Sequence, residues 1–248
     1  MEARKEKDAM TLLQVTEVSK EYKTKQALSH FSLQVEAGTC IVLCGGNGAG
    51  KSTLLHILAG ISRPTDGTIV LNGIALHENR TAYVSQIGYM PDDFHAQEMM
   101  TVHEFLTFYG VLRKVRGQQI QEILEKIGLI EKRNELVKHL SKGMRQRLVF
   151  GQALLGEPKL LLLDEPTNGL DPYWVNAFVE VLQDIKKMGT IVIFSTHMMD
   201  VAAEIGDCIL FMKDGIVTNR IEHKGSKEEK TLHLMQLHRQ GWNQNDFI

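Results

Sequence analysis

The sequence lacks several features that would assign a chain to a class at once. No window approaches the roughly eighteen consecutive apolar residues of a membrane helix, and the charged start, residues 1–8, has no apolar signal-peptide segment. We therefore expect that this chain does not itself cross a membrane. The formal net charge of −2 provides no overall basic field, so charge does not indicate a nucleic-acid partner.

Cysteine is also scarce. The three cysteines, Cys40, Cys44 and Cys208, are an odd number and lie in apolar runs. This pattern predicts buried thiols in a reducing cytosol and makes a cysteine-based metal site unexpected. We find no internal repeat and no low-complexity segment. With 248 residues, 43% of them hydrophobic, the chain is long enough for one large α/β domain, or for a core domain with an inserted subdomain.

A glycine-rich segment follows the apolar run 40–44 and fits the pattern G-x-x-x-x-G-K-[ST]. Its residues are Gly45, Gly46, Asn47, Gly48, Ala49, Gly50, Lys51 and Ser52. The backbone N–H groups of such a loop can surround a polyphosphate because glycines leave room for it. Lys51 would contact the β- and γ-phosphates, Ser52 would bind Mg²⁺, and the helix that starts at Thr53 would direct its positive end at the anion. The pattern predicts a nucleoside triphosphate with magnesium; the alternative is a glycine-rich turn with a solvated lysine.

Two half-buried strands are predicted before this loop. Residues 12–18 and 28–35 alternate apolar and polar side chains, and residues 19–25 form their predicted connection. Tyr22, in this connection, could stack on a purine base or pack against its own hairpin. The residues alone leave both roles open.

Residues 94 to about 140 are predicted to form an all-helical insertion in an otherwise α/β core. Thr101 and Glu104 form a capping box that opens one helix, and apolar residues at 120, 123, 124 and 127 predict a second, amphipathic helix. The insertion starts with a group of large apolar residues that either forms its own core or adapts to a partner. The group consists of Phe94, Met99, Met100, Phe105 and Phe108.

Two carboxylates follow the apolar run 160–163, which is typical of a strand buried on both faces of a parallel sheet. Asp164 and Glu165 would lie at the same edge of the sheet as the phosphate loop, where ligands of open α/β sheets bind. One would orient the water shell of magnesium and the other would polarise the attacking water; the alternative is a solvated strand exit. A strand predicted at 190–195 brings His197 to this edge, although a lone histidine is more often structural.

The order of these motifs resembles that of the ATP-binding subunit of ABC transporters, and the resemblance extends from about residue 12 to residue 221. Within that family, the chain resembles the bacterial exporter-like type. The segment 140–148, Leu-Ser-Lys-Gly-Met-Arg-Gln-Arg-Leu, looks like the signature sequence of that family. The resemblance implies a P-loop NTPase (RecA-like) α/β core with an antiparallel β subdomain and an inserted α-helical subdomain. It implies an ABC ATPase domain at 1–222, with the helical insertion at 93–140, and a C-terminal helix and tail at 223–248.

The resemblance also implies roles for single residues. Glu165, His197 and Lys51 correspond to the catalytic carboxylate, the switch histidine and the Walker A lysine, and Ser52, Asp92 and Asp164 to the magnesium ligands. Ser141 is a good N-cap, so its helix would present N–H groups to an anion, and the resemblance implies that this anion is the nucleotide of a second protomer; the alternative is a capped surface helix. The implied nucleotide contacts are Tyr22, Gly45, Gly46, Asn47, Gly48, Ala49, Gly50, Lys51, Ser52, Thr53, Ser141, Gly143 and the D-loop residue Asp171.

Three departures from the family pattern are visible. Lys142 and Met144 replace the usual glycine and glutamine of the signature, but Ser141 and the second glycine remain, so hydrolysis is still expected. Gly46 stands where the family often has a non-glycine residue. Asp92 stands at the position of the usual Q-loop glutamine, where it adds negative charge next to Asp164 and Glu165.

The function implied is an ATPase that dimerises on Mg²⁺-ATP and powers a separate transmembrane permease, which exports its cargo. The expected partners are that permease and a second copy or a paralogous ATPase subunit, with no nucleic acid, and the expected location is cytoplasmic, peripheral on the inner face of the cell membrane. The apolar start of the insertion lies where the family receives permease loops. The alternative is a soluble, non-transport ABC-type ATPase acting on a protein assembly scaffold; a regulator without turnover is disfavoured by Glu165 and His197.

Overall fold

The computed structural model describes residues 11–23, 25–93, 97–222 and 226–241. The strands are β1 Thr11–Tyr22, β2 Lys25–Glu36, β3 Cys40–Cys44, β4 Asp66–Leu71, β5 Ile74–Ala75, β6 Ile87–Met90, β7 Leu160–Leu163, β8 Ile191–Ser195, β9 Cys208–Lys213 and β10 Ile216–Ile221. The α-helices are α1 Lys51–Leu58, α2 Arg80–Val84, α3 Val102–Leu112, α4 Gly117–Lys126, α5 Lys142–Leu154, α6 Pro172–Lys187, α7 Met199–Ile205 and α8 Lys227–Gly241. None of the helices in these ranges combines the length and apolarity that a membrane span requires.

The larger sheet has the strand order β10-β9-β3-β8-β7-β6. All neighbouring strands are parallel except β10, which is antiparallel to β9. Every residue of β3, β7 and β8 is buried, because helices and the second sheet cover this sheet on both faces. The parallel strands therefore bring the segments after β3, β7 and β8 to one edge. The predicted α/β core is confirmed.

The three cysteines lie in this larger sheet. Cys40, Cys44 and Cys208 are buried free thiols, as predicted. Burial raises the pKa of Cys40 and of Cys44 to about 12. These thiols therefore stay protonated and act as small apolar side chains of the core.

The smaller sheet is antiparallel and has the order β2-β1-β4-β5. The prediction that residues 19–25 connect two strands was wrong, because β1 runs to Tyr22, which pairs with Lys25 at the start of β2. Register shifts after Val15, Val18 and Lys20 interrupt the alternation of apolar and polar residues, so the period that signals a strand is lost there. The sequence analysis also missed β5 and α2, which are too short to show a period.

Residues 97–140 contain α3, α4 and two short 3₁₀ turns, Ile130–Lys132 and Val137–His139. The predicted capping box is present: the Thr101 hydroxyl accepts from the Glu104 N–H, and the Glu104 carboxylate accepts from the Thr101 N–H at 2.8 Å. These bonds to Thr101 lower the pKa of Glu104. Phe105, Ile120 and Leu124 pack with α5, so α3 and α4 share their core with the helix that contains most of the segment 140–148.

Candidate nucleotide site

One cavity of about 430 Å³ lies at the edge where β3, β7 and β8 end. It is lined by Tyr22, Lys25, Ala27, Gly46, Asn47, Gly48, Ala49, Gly50, Lys51, Ser52, Thr53, Asp92, Asp164, Glu165, Asn168 and His197. Gly45 begins the same loop. The structure thus brings together the predicted phosphate loop, both carboxylates and the histidine, but it leaves Ser141, Gly143 and Asp171 outside this cavity.

The loop glycines serve two different purposes. A Cβ on Gly45 would lie 2.2 Å from the Met212 carbonyl oxygen, and one on Gly50 would lie 2.6 Å from that of Ala27. These two glycines therefore make room for the protein's own backbone and not, as the sequence analysis assumed, for the ligand. A Cβ on Gly46 would meet no protein atom within 4 Å, and one on Gly48 only the end of a lysine side chain, so these two leave the cavity open. That open cradle fits a polyphosphate.

Lys51 is held inside the loop by the backbone of the loop itself. Its side-chain nitrogen Nζ donates to the carbonyl oxygens of Gly45 at 2.7 Å and Gly46 at 3.2 Å, and the residue is 7% exposed. Nζ also lies 4.0 Å from Oε1 of Glu165. Because α1 begins at Lys51, the N-terminal end of that helix adds its positive dipole to the lysine charge. The solvated-lysine alternative is therefore wrong.

Asp164 and Glu165 are buried at the end of β7, at 4% and 7% exposure, so the alternative of a solvated strand exit is wrong as well. Oδ1 of Asp164 accepts from the Ser195 hydroxyl at 2.7 Å. Nε2 of His197 lies 3.0 Å from Oε1 of Glu165. Burial, together with the charges of Asp164 and Asp92, raises the pKa of Glu165 to about 7, against the opposing effect of Lys51. A carboxylate with this pKa is suited to accept a proton near neutral pH.

The raised pKa of Glu165 makes the stability of the nucleotide-free chain depend on pH. The ordinary value is 4.5, so the folded state holds a proton that the unfolded state releases, and stability falls as the pH rises from about 4.5 to about 7. The full cost of ionising the buried group is about 3 kcal/mol. In urea unfolding at pH 8, we expect Glu165→Gln to raise the free energy of unfolding by about 1–3 kcal/mol.

The control for this prediction is the same measurement at pH 5. Glu165 is protonated at pH 5 in the folded protein. The gain in the free energy of unfolding from Glu165→Gln should therefore shrink to a few tenths of its value at pH 8. An equal gain at both pH values would show that the substitution acts through packing and not through the buried charge.

Asp92 occupies the loop after β6 and faces the same cavity. Its Oδ1 accepts from the Asn168 side-chain amide at 3.0 Å, which links the loop after β6 to the loop after β7. The negative charge of Asp92 is one of the causes of the raised pKa of Glu165. The departure from glutamine at this position therefore changes the electrostatics of the site.

Tyr22 stands at the mouth of the cavity with 46% of its surface exposed. The ammonium group of Lys20 lies 4.8 Å from the ring centroid, and the hydroxyl lies 3.5 Å from Oγ of Ser62. The ring is thus available at the cavity wall, which is the placement that base stacking requires.

The signature segment lies on the surface of the same chain. Oγ of Ser141 accepts from the Met144 N–H at 3.2 Å and so caps α5, as predicted. A Cβ on Gly143 would lie 2.8 Å from the Gly169 carbonyl oxygen, so the segment packs closely on the turn before Asp171. Asp171 caps α6 through the N–H of Trp174 at 3.0 Å. None of these three residues lines the cavity of its own chain.

Sequence analysis missed four residues of the site. Lys25, Ala27 and Asn168 line the cavity, and Ser195 contacts Asp164 from the end of β8. Lys25 carried a usable signal, since a lysine three positions after Tyr22 adds positive charge close to an expected anion. Ser195 carried none, because a serine at a strand end is common and its contact depends on the strand order.

A parallel sheet, a phosphate loop between β3 and α1, and carboxylates after β7 define a P-loop nucleoside triphosphatase. The family model described as ABC transporter matches residues 28–168, more than half of the chain. The chain therefore belongs to the ABC transporter family, and within it to the ATP-binding subunits, which are ATPases. The predicted family, fold class and enzyme class are confirmed.

Similar proteins agree with this assignment. The Bacillus subtilis (strain 168) protein named uncharacterized ABC transporter ATP-binding protein YxlF is 36% identical over 230 residues, which cover 91% of this chain and 76% of that protein. The Streptococcus pyogenes lantibiotic transport ATP-binding protein SrtF is 31% identical over 228 residues, which cover 91% of this chain and 97% of that protein. A dimeric post-hydrolysis structure of the ATP-binding cassette MJ0796 with ADP and Pi has a TM-score of 0.80 at 25% identity, covering 87% of this chain and 100% of that one.

Proposed function

We propose that the chain hydrolyses ATP in the 430 Å³ cavity with Glu165, His197 and Lys51 as its catalytic residues. The observation that carries the proposal is the meeting of these three side chains around one cavity, with Glu165 between the other two. Lys51 and the loop N–H groups stabilise the charge that develops on the transferred phosphoryl group. Glu165 positions or deprotonates the attacking water, and His197 contacts the γ-phosphate.

The donors around the cavity fit Mg²⁺, which prefers oxygen ligands and keeps several waters. Ser52 offers a hydroxyl at the start of α1, Asp164 a carboxylate fixed by Ser195, and Asp92 a second carboxylate. We assign these three residues to the metal. When bound, the ion neutralises charge on the phosphates.

We also propose that two protomers enclose two ATP molecules, with Ser141 and Gly143 of each facing the nucleotide of the other. Two observations support this arrangement. The capped N-terminus of α5 is a suitable anion site, yet it lies outside the chain's own cavity. A related cassette, MJ0796, is dimeric in a solved structure.

The partner that this ATPase drives is, in our proposal, a transmembrane permease, and the chain lies in the cytoplasm on the inner face of the membrane. An apolar patch on α3 supports a docking role: Phe108, Val111 and Leu112 are 45%, 69% and 67% exposed and share one helix face. We call these three residues the α3 patch. Export is the proposed direction, and it agrees with the name of a related Rhizobium etli protein, the Nod factor export ATP-binding protein I.

The group of five apolar residues predicted at the start of the insertion divides between core and surface. Phe105 is fully buried and Met100 is partly buried against the core. Met99 is 72% exposed and Phe108 belongs to the α3 patch. Phe94 lies outside the described residues.

The α3 patch gives a direct test. The double substitution Val111→Asp and Leu112→Asp should abolish co-purification of a hydrophobic membrane subunit from detergent-solubilised membranes, because two charges would be placed in an apolar interface. ATP turnover of the isolated chain should stay within about twofold, since the patch is away from the cavity. The matched control is Met188→Asp, at a residue that is also 67% exposed and lies after α6. Recovery of a soluble scaffold protein in place of a membrane subunit would contradict the transport proposal.

A further inference from the structure

A single buried hydroxyl connects the two carboxylates at the end of β7. Oγ of Ser195 donates to Oδ1 of Asp164 at 2.7 Å and accepts from the backbone N–H of Glu165 at 2.8 Å. Ser195 is 0% exposed at the end of β8, the strand that pairs with β7 in the parallel sheet. The hydroxyl therefore donates its hydrogen to the side chain of Asp164 and accepts, through a lone pair, from the backbone of Glu165.

The backbone of Glu165 requires such support. Its φ of +47° lies in the left-handed region, which residues with a Cβ rarely adopt. A conformation of this kind persists at a site only when the surroundings fix it. The Glu165 N–H is fixed by Ser195, and the Glu165 carbonyl oxygen accepts from the N–H of Asn168 at 3.1 Å and from the side-chain amide of Gln146 at 3.2 Å.

The left-handed turn also decides where the two side chains go. In an extended strand, consecutive side chains point to opposite faces of the sheet, so Asp164 and Glu165 would be directed apart. With Glu165 in the left-handed conformation, both carboxylates line the same cavity. The bond from the Glu165 N–H to Ser195 holds the turn, and the bond from Ser195 to Asp164 fixes the second carboxylate relative to the first.

We propose that Ser195 is a positioning residue for ATP hydrolysis, which orients Asp164 and Glu165 together without touching the substrate. This inference rests on the proposed roles of those two carboxylates. Removing a group that orients metal-binding or catalytic side chains typically costs about 10- to 100-fold in activity or metal affinity. For Ser195→Ala we therefore expect kcat to fall by about 10- to 100-fold, with the KM for ATP changed by less than about threefold.

Two further readouts separate positioning from a general loss of structure. The Mg²⁺ concentration that half-saturates ATP binding should rise about 10-fold, since Asp164 is no longer oriented. In the nucleotide-free protein, the backbone amide of Glu165 should exchange its hydrogen at least about 10-fold faster by NMR, because its buried acceptor is gone. Ser195→Thr keeps the hydroxyl and should restore kcat to within about fivefold of the wild type.

The matched control removes another buried hydroxyl, at the opposite end of β8 from Ser195. Thr190 directly precedes β8, and its Oγ1 donates to the Pro158 carbonyl oxygen at 2.9 Å. Thr190→Val should lower the melting temperature while kcat stays within about twofold. Ser195→Cys, which keeps the shape but donates weakly, should lose kcat as Ser195→Ala does, so that a folding defect of the alanine variant does not decide the test.

The inference is overturned if Ser195→Ala, counted per ATP-binding molecule, keeps kcat within about twofold of the wild type and leaves the exchange of the Glu165 amide unchanged. It is also overturned if Thr190→Val lowers kcat as much as Ser195→Ala does. A failure of the proposed function looks different, because then Glu165→Gln itself would leave turnover intact. The two failures are therefore distinguishable in one set of variants.

Discussion

Replacing Glu165 with glutamine is expected to lower ATP turnover by about 100- to 10,000-fold, because the amide cannot accept the proton of the attacking water. ATP binding should persist, since the phosphate loop and Lys51 are unchanged. With hydrolysis blocked, ATP-bound dimers should accumulate. Phosphate release measures the first effect, isothermal titration the second and light scattering with Mg²⁺-ATP the third.

The control for this prediction is Glu180→Gln, which removes an exposed carboxylate from α6 and should leave all three measurements unchanged. Turnover equal to that of the wild type would remove Glu165 from the mechanism. Loss of turnover without dimers would instead leave the chemistry in place and contradict the proposed arrangement in which Ser141 of one protomer faces the ATP of the other.

Replacing Lys51 with alanine should act on binding itself. The ammonium group is held by two carbonyl oxygens of the loop, so its removal takes away both the charge that meets the phosphates and an internal support of the cradle. Hydrogen bonds to charged groups contribute about 1.5–3 kcal/mol, so affinity for ATP should fall by about 10- to 100-fold. Titration with ATP in the presence of Mg²⁺ measures the loss.

A matched control for Lys51→Ala is Lys159→Ala. Lys159 is exposed just before β7, at the end opposite to Asp164, and its removal should leave ATP affinity within about twofold. If Lys51→Ala bound ATP as tightly as this control, the glycine-rich loop would not be the phosphate site, and the proposed function would have to be abandoned.

Much of the fold could be predicted from the sequence because the buried strands are short and apolar. The runs 160–163 and 190–195 are bounded by polar residues, so their position and their burial follow from the pattern. The first hairpin was harder to predict, since bulges break the alternation of apolar and polar residues in β1 after Val15. Helix α2 and strand β5 hold five and two residues, which is less than a period needs in order to be visible.

The residues of the candidate site also differ in how far the sequence predicts them. Residues of the phosphate loop are contiguous, so their shared role can be recognised along the chain. Asp164, Glu165 and His197 could be joined to the loop only by the rule that parallel strands end at one edge. Asn168 contributes through a contact between loops and Ser195 through contacts from the end of β8. The left-handed turn at Glu165 has no local signal, since glutamate rarely adopts it.

The turn between β9 and β10 is hydrogen-bonded to the phosphate loop. The Gly215 N–H donates to the Ala49 carbonyl oxygen at 3.0 Å, and β3 pairs with both β8 and β9. The loop is translated early, but the strands and the turn that hold it are translated more than a hundred residues later. During synthesis on the ribosome, the contacts that hold the phosphate loop can therefore form only after residues 191–215 have emerged.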